Sequence, residues 1–389
     1  MQLHSKLPEV GTSIFTVMSK MALDYQAINL GQGFPDFHAD PQLLDLVSKA
    51  MEEGHNQYPY MPGIAPLREV ISEKVKTLYG HEYDPDTEIT VTSGATQAIM
   101  ACLLASVGKG DEVLVIEPCY DSYLPSILLA GATPIRVQME APTECRPSFW
   151  IDWEKVADAV TPKTRLIMLN TPHNPTGSVL SASDLDALEQ IIQNTGVMLL
   201  SDEVYEHIVF DDQPHLSLAS RPALSARAYV ISSFGKTTHT TGWKVGYCCA
   251  PKEMTSELRK VHQFMVFTVA SPFQHALAAY TRQADTYLNL PDFYQQKRNL
   301  LAQGLAQTRF KTLPCPGTYF MLADYSQISD LPESEFAIWL TKEHGVVVIP
   351  VSAFFAKPSD KQSNNRIVRF CFAKKEETLD KAIERLKNV

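Results

Sequence analysis

The sequence predicts an α/β protein. A large domain over residues 40–285 would carry a mostly parallel sheet covered by helices, and residues 1–39 with 286–389 would form a smaller α+β domain. Two observations support this. From residue 86 onward, short continuously apolar runs alternate with longer helical patterns, as expected for strands buried on both faces of a sheet. After residue 285 the texture changes to a few strand-like runs flanked by helices. At 389 residues and 45% hydrophobic, the chain is long enough to bury a large core.

The elements follow in order. EITVTS (88–93) reads as a strand and feeds directly into a helix, ATQAIMACLLASV (95–107). EVLVIEP, TPIRVQM, TRLIMLN, VMLLSDE and AYVISS are further β-branched or apolar runs, several bounded by Gly or Pro. ASDLDALEQIIQNT (182–195) is a helix between two of them. In the smaller domain, helices near 291–307 and 333–344 accompany strands at TYFMLAD, GVVVIPV and NRIVRFCF, and a last helix closes the chain.

Composition removes several function classes. A formal net charge of −10 argues against nucleic-acid binding. No apolar run is long enough to span a membrane, and the N-terminal MQLHSKLPEVGTSIF lacks the apolar core of a secretory signal. The seven cysteines are scattered, without CxxC spacing, which predicts reduced thiols in a cytoplasmic protein. His239 and His262 have no partner at metal-ligand spacing, and Asp211-Asp212 reads as a solvated turn.

Sheets of this kind bind ligands beyond the carboxyl ends of their strands, so what each strand ends in is informative. EITVT ends in Ser93-Gly94-Ala95-Thr96, a glycine turn opening a helix, where free N–H groups suit a phosphate. Neither a G-x-G-x-x-G fingerprint nor a P-loop is present. TRLIMLN runs into Thr171-Pro172-His173-Asn174-Pro175, a loop whose prolines stop regular structure and display Asn174. VMLLS ends in Asp202, with Tyr205 following; a carboxylate there needs a cation or a donor. AYVIS ends in Ser233 and leads to Lys236 and Lys244, set among small polar residues and glycines. Pyridoxal phosphate asks for this set: an amine for its aldehyde, a carboxylate for its ring nitrogen, donors for its ring oxygen, and N–H groups, hydroxyls and a cation for its phosphate.

Over essentially its whole length the chain resembles the fold-type-I, class I/II pyridoxal-phosphate aminotransferases. Within them it is similar to the kynurenine and glutamine transaminase branch and its bacterial methionine aminotransferase relatives. The residues that carry the resemblance are NLGQGFPDF, HNQYPYMPG, TSGATQA, EPCYDSY, NTPHNPTG, SDEVYE, SSFGKTTHTTGWKVGY and RIVRFCF. The resemblance implies a seven-stranded sheet in the large domain, a homodimer with shared sites, and amino acids and 2-oxo acids as substrates.

It also implies roles. Lys236 matches the lysine that binds the cofactor aldehyde and then serves as general base. Lys244 matches the phosphate-binding cation, and Gly94, Ala95, Thr96 and Ser233 complete that cup. Asp202 matches the ring-nitrogen carboxylate, while Asn174 and Tyr205 match the donors to the ring oxygen. Tyr120 matches the aromatic residue stacked on the ring, and Tyr58 the tyrosine that reaches the neighbouring subunit's phosphate. Arg369 matches the arginine that grips the substrate α-carboxylate, with the backbone of Gly33 close to it.

Some positions depart from the wider pattern. Gly235 replaces a second serine before the lysine, as in the kynurenine branch. Phe264 and Phe267 fall in a segment that lines the partner's side-chain pocket in that branch, but Thr268 stands where kynurenine-type enzymes tend to carry histidine. That favours methionine and aromatic side chains over kynurenine. Phe15 either closes the pocket or belongs to the core, and Arg282 is a candidate for a second carboxylate. The expected activity is transamination of a methionine-like or aromatic L-amino acid; the alternatives are a carbon–sulfur β-lyase, a kynurenine or glutamine transaminase, and the effector domain of a transcription regulator.

Overall fold

The computed structural model describes residues 4–356 and 365–389; residues 1–3 and 357–364, assigned above to the smaller domain, lie outside it. Thirteen strands are found among the described residues: β1 (Ile28–Asn29), β2 (Ile89–Thr92), β3 (Glu112–Glu117), β4 (Thr133–Gln138), β5 (Thr164–Asn170), β6 (Met198–Asp202), β7 (Ala228–Ser233), β8 (Gly246–Cys249), β9 (Lys311–Thr312), β10 (Phe320–Asp324), β11 (Val346–Val347), β12 (Ile349–Pro350) and β13 (Ile367–Cys371).

The central sheet has seven strands in the order β2-β8-β7-β6-β5-β3-β4. All are parallel except β8, which runs antiparallel to both β2 and β7. Alternate side chains feed two cores: Leu114 and Ile116 pack on one face, Val113 and Val115 on the other. Both faces are therefore dry, which is why these strands read as unbroken apolar runs.

The sequence reading passed over β8. Its register sets Gly246 opposite both Thr92 and Ser233, so the start of β8 lies level with the carboxyl ends of its two neighbours. A side chain just ahead of β8 thus reaches the same edge as those just after β2 and β7. Gly246 is required there, because a Cβ would lie 2.8 Å from the Ser232 carbonyl oxygen and 2.9 Å from the Ala95 nitrogen.

The second sheet is antiparallel, in the order β12-β13-β10-β9, and a separate parallel pair joins β1 to β11. GVVVIPV, expected as one strand, is split between these two sheets. β13 is an interior strand: Arg369 pairs with Leu322 on one side and Ile349 on the other. This sheet has its own core, although Leu322, Val351, Phe355 and Ile367 join the core of the large sheet. Asp211 is more than a solvated turn, since both its oxygens accept from Arg298 at 2.6 and 2.8 Å.

Candidate active site

The ends of β2, β5, β6 and β7 and the start of β8 open on one cavity of about 430 Å³. Of the candidate residues, Tyr58, Phe264, Phe267 and Arg282 do not line it and the others do, joined among others by Phe320, Tyr123 and Asn170. A larger cleft of about 800 Å³ lies behind the Asn170–His173 segment. No lysine lines it, and its arginines are engaged, Arg298 with Asp211 and Arg146 over the Trp150 ring. The chemistry is therefore concentrated in the smaller cavity.

The helix Gly94–Ser106 begins at the end of β2 with Gly94 at φ +73°, a conformation that glycine adopts without strain. Ser93 makes no side-chain bond to the first turn, so its N–H groups have no side-chain cap. A Cβ on Gly94 would lie 3.3 Å from Lys244 Nζ, which places that amine directly over the turn. Ser233 adds a hydroxyl to the cavity wall and accepts from the Gly235 nitrogen at 3.2 Å. A serine at 235 would bring its Cβ to 3.0 Å from the Thr241 Cα, which accounts for the glycine.

Lys236 follows in the short helix Phe234–Thr237, its Nζ 3.2 Å from the Gly33 carbonyl oxygen. Burial pushes its pKa down to about 8; Cys371 and Asp202 oppose the shift, while Arg369 and Lys244 add to it. Asp202 is pushed up to about 6 by burial, against the pull of the Tyr123 hydroxyl, the Val204 N–H and Lys236. Tyr205 lies beside them, its phenol held protonated by burial. Tyr120 borders the same cavity and meets the Tyr123 ring edge-on.

Asn170 at the end of β5 donates to the Asp202 carbonyl oxygen and accepts from the Asn174 nitrogen, both at 2.7 Å. Asn174 Oδ1 accepts from Arg369 at 2.5 Å. Because arginine can only donate, the Asn174 amide nitrogen is left to donate elsewhere. Arg369 also donates to the Gly31 carbonyl oxygen at 3.0 Å, but its buried Nε has no partner among the described residues. Its guanidinium lies over Phe320 at 3.7 Å, with Phe354 at 4.8 Å and Phe15 at 5.5 Å. Burial lowers its pKa to about 10, so it remains charged. Phe15 thus belongs to the cavity wall. Gly33 approaches closely, since a Cβ there would meet the Phe320 ring at 2.6 Å.

Tyr58 and Phe267 are brought together elsewhere, edge-on at 5.5 Å, and both are exposed, as is Phe264. Arg282 is exposed at the end of the helix Ser271–Thr281 and does not line the cavity. Sequence reasoning missed Tyr123, Asn170 and Phe320. Tyr123 lies in the quoted EPCYDSY, but nothing local tells which tyrosine reaches Asp202.

The donor set fits pyridoxal phosphate. One cavity holds an amine, a buried carboxylate without a contacting cation, three phenols, two asparagine amides, and a helix start covered by a second amine.

Residues 25–386 match the family described as aminotransferase class I and II. The chain is 48% identical to the methionine aminotransferase of Escherichia coli (strain K12), over 99% of this chain and 98% of that one. It is 36% identical to the kynurenine–oxoglutarate transaminase of Dictyostelium discoideum, over 97% and 94% of the two chains. A crystal structure of an Escherichia coli protein identified with a methionine aminotransferase function superposes with a TM-score of 0.96 at 48% identity, covering both chains fully.

Proposed function

The chain belongs to the class I and II aminotransferases, and on that footing we propose that it takes an amino group from methionine or an aromatic L-amino acid and passes it to a 2-oxo acid. Its cofactor is pyridoxal 5′-phosphate. When bound, that group supplies an aldehyde that condenses with amines and a ring that draws electrons from the substrate Cα.

The chain's own residues divide the remaining work. Lys236 would hold the cofactor and would take the Cα proton at Nζ. A pKa near 8 leaves a useful share of that amine unprotonated close to neutrality. Asp202 would keep the ring nitrogen protonated, and the Asn174 amide and Tyr205 hydroxyl would serve as donors to the ring oxygen. The first turn at Gly94, Ala95 and Thr96, with Ser233 and Lys244, holds the phosphate. Tyr120, on the cavity wall, would cover a ring face.

The observation that carries the donor assignment is the Arg369 guanidinium, its Nε unpartnered, boxed by Phe320, Phe354 and Phe15. The charge suits an α-carboxylate, and the aromatic walls suit a thioether or aromatic side chain. The 48% identity to a methionine aminotransferase supports the same choice.

The working form we propose is a homodimer with shared sites. Tyr58 is 83% exposed and Phe264 88%, and a second copy would cover both and bring them to its own cavity. The division into a large domain at 40–285 and a small one from 1–39 with 286–389 is part of the same reading, as is a cytoplasmic location, which six buried unpaired cysteines support.

The test is to follow the cofactor's visible band while L-methionine, phenylalanine or glutamate is added without any oxo acid. Methionine should bleach it stoichiometrically, and an oxo acid should restore it. A band that methionine leaves unmoved would reject this donor. Pyruvate and thiol released from an S-conjugate without oxo acid would favour the β-lyase.

A further inference from the structure

After β3 the chain turns through Pro118–Ser122 and enters a short helix at Tyr123, a residue 2% exposed. The Tyr123 hydroxyl donates to Asp202 Oδ2 at 2.6 Å, the length of a charge-assisted bond. Asp202 Oδ1 has only the Val204 N–H, at 3.4 Å. Among the described residues those are the two donors to this carboxylate, and one is close while the other is long. The Tyr123 ring also stands edge-on against Tyr120 at 5.7 Å. One side chain therefore touches both the carboxylate and the aromatic ring assigned to the cofactor, while holding neither the phosphate nor the substrate.

We propose that Tyr123 is the positioning residue of this site: its hydroxyl fixes which Asp202 oxygen is left for the ring nitrogen and keeps that carboxylate ionised, and its ring supports Tyr120. This rests on the reading of Asp202 as the ring-nitrogen partner. The argument is one of geometry and desolvation. A carboxylate enclosed in protein without a contacting cation is driven towards its neutral form unless a fixed donor holds the charge. Lys236 is turned to the Gly33 carbonyl and acts on Asp202 only at a distance. Glu203, next in the chain, opposes ionisation, and Tyr120 and Tyr205 are neutral phenols at the same wall. That leaves Tyr123 as the close donor. Burial and the adjacent Asp202 keep its own phenol protonated well beyond the ordinary range, so the donor persists across the working pH.

The experiment compares Tyr123→Phe, which keeps the ring, with Tyr123→Leu, which removes it, and with Asp202→Asn. Two readouts are taken on each: the cofactor dissociation constant by titration of the cofactor-free protein, and the pH dependence of the half-reaction with methionine. Tyr123→Phe should still fold, loosen the cofactor several-fold, and move the acid limb upward by about one pH unit, the effect expected for one lost hydrogen bond to a charge. The deficit should therefore be larger at pH 6 than at pH 8.5. Tyr123→Leu should add a further loss of cofactor affinity through Tyr120. An acid limb and an affinity within twofold of the parent would overturn the proposal and leave Tyr123 as packing. If Asp202→Asn also changed neither readout, the reading of Asp202 itself would fall, a different outcome. Should Tyr123→Phe not fold, 3-fluorotyrosine at position 123 replaces it. That more acidic phenol is a stronger donor and must move the acid limb downward; an unmoved limb would equally overturn the proposal.

Discussion

Two buried carboxylates stand four residues apart, Asp202 ending β6 and Glu206 in the turn after it, and they behave in opposite ways. Asp202 has one close donor and no contacting cation, and burial lifts its pKa to about 6. Glu206 is equally buried, but it accepts from Lys74 at 2.7 Å, Ser232 at 2.5 Å, Tyr79 at 2.7 Å and Tyr247 at 3.0 Å. Burial pushes Glu206 up, but Lys74 and the donors outweigh it and hold the group well below the usual carboxylate range. The lysines divide likewise: Lys74 is paired, whereas among the described residues Lys236 meets a carbonyl oxygen and rings but no carboxylate. A saturated buried charge supports the fold. An unsaturated one is kept ready for chemistry at a cost in stability.

The largest expected effect lies on the reactive side. Lys236→Met should lower kcat by about 10⁴-fold, the upper range for loss of a general base, with the melting temperature unchanged or raised. Lys74→Met should do the reverse. It leaves Glu206 buried without its cation and should cost about 3–5 kcal/mol by denaturant unfolding, while the cofactor band survives in whatever remains folded. Adding Glu206→Met to it should recover much of that loss; a double variant no more stable than the single would break the comparison.

The carboxylates should respond to pH with opposite signs in the cofactor-free protein. Asp202 titrates near 6 when folded and from 3.8 when free, so the folded state holds this proton more tightly. The stability that proton confers is complete below the lower value and lost as pH rises through about 6. Asp202→Asn should therefore stabilise the cofactor-free protein at pH 7 by about 2–3 kcal/mol while crippling the enzyme. Glu206 has a folded value below its free 4.5, so its contribution is present above that pH and lost as pH falls beneath it. Glu206→Gln should flatten the acid side of the unfolding profile.

The smallest and sharpest contrast is between adjacent serines. Ser232 donates to Glu206, whereas Ser233 lines the cavity. Ser232→Ala should cost about 1.5–3 kcal/mol of stability with the cofactor dissociation constant unchanged. Ser233→Ala should loosen the cofactor several-fold with stability nearly unmoved. Equal behaviour of the two would mean that the strand does not separate the two roles.

Much of the site was legible because β2, β5, β6 and β7 each end in a chemically distinctive residue, and parallel strands bring like ends together. Lys244 was singled out beside Lys236, but which lysine meets the phosphate came from the resemblance. Its place follows from β8 running backwards, which periodicity within β8 does not reveal. Tyr123 and the Lys74–Glu206 cluster were not singled out, since their partners lie 79 and 132 residues away.

By itself the sequence determined the layered α/β architecture, the cofactor chemistry and about half of the residues that line the cavity. Apolar periodicity and strand-end chemistry are local properties, written along a few consecutive residues. Tertiary structure alone decided which buried charge is satisfied and which is left reactive. That balance depends on how many donors arrive from other strands and helices, and so does the protonation state of each group.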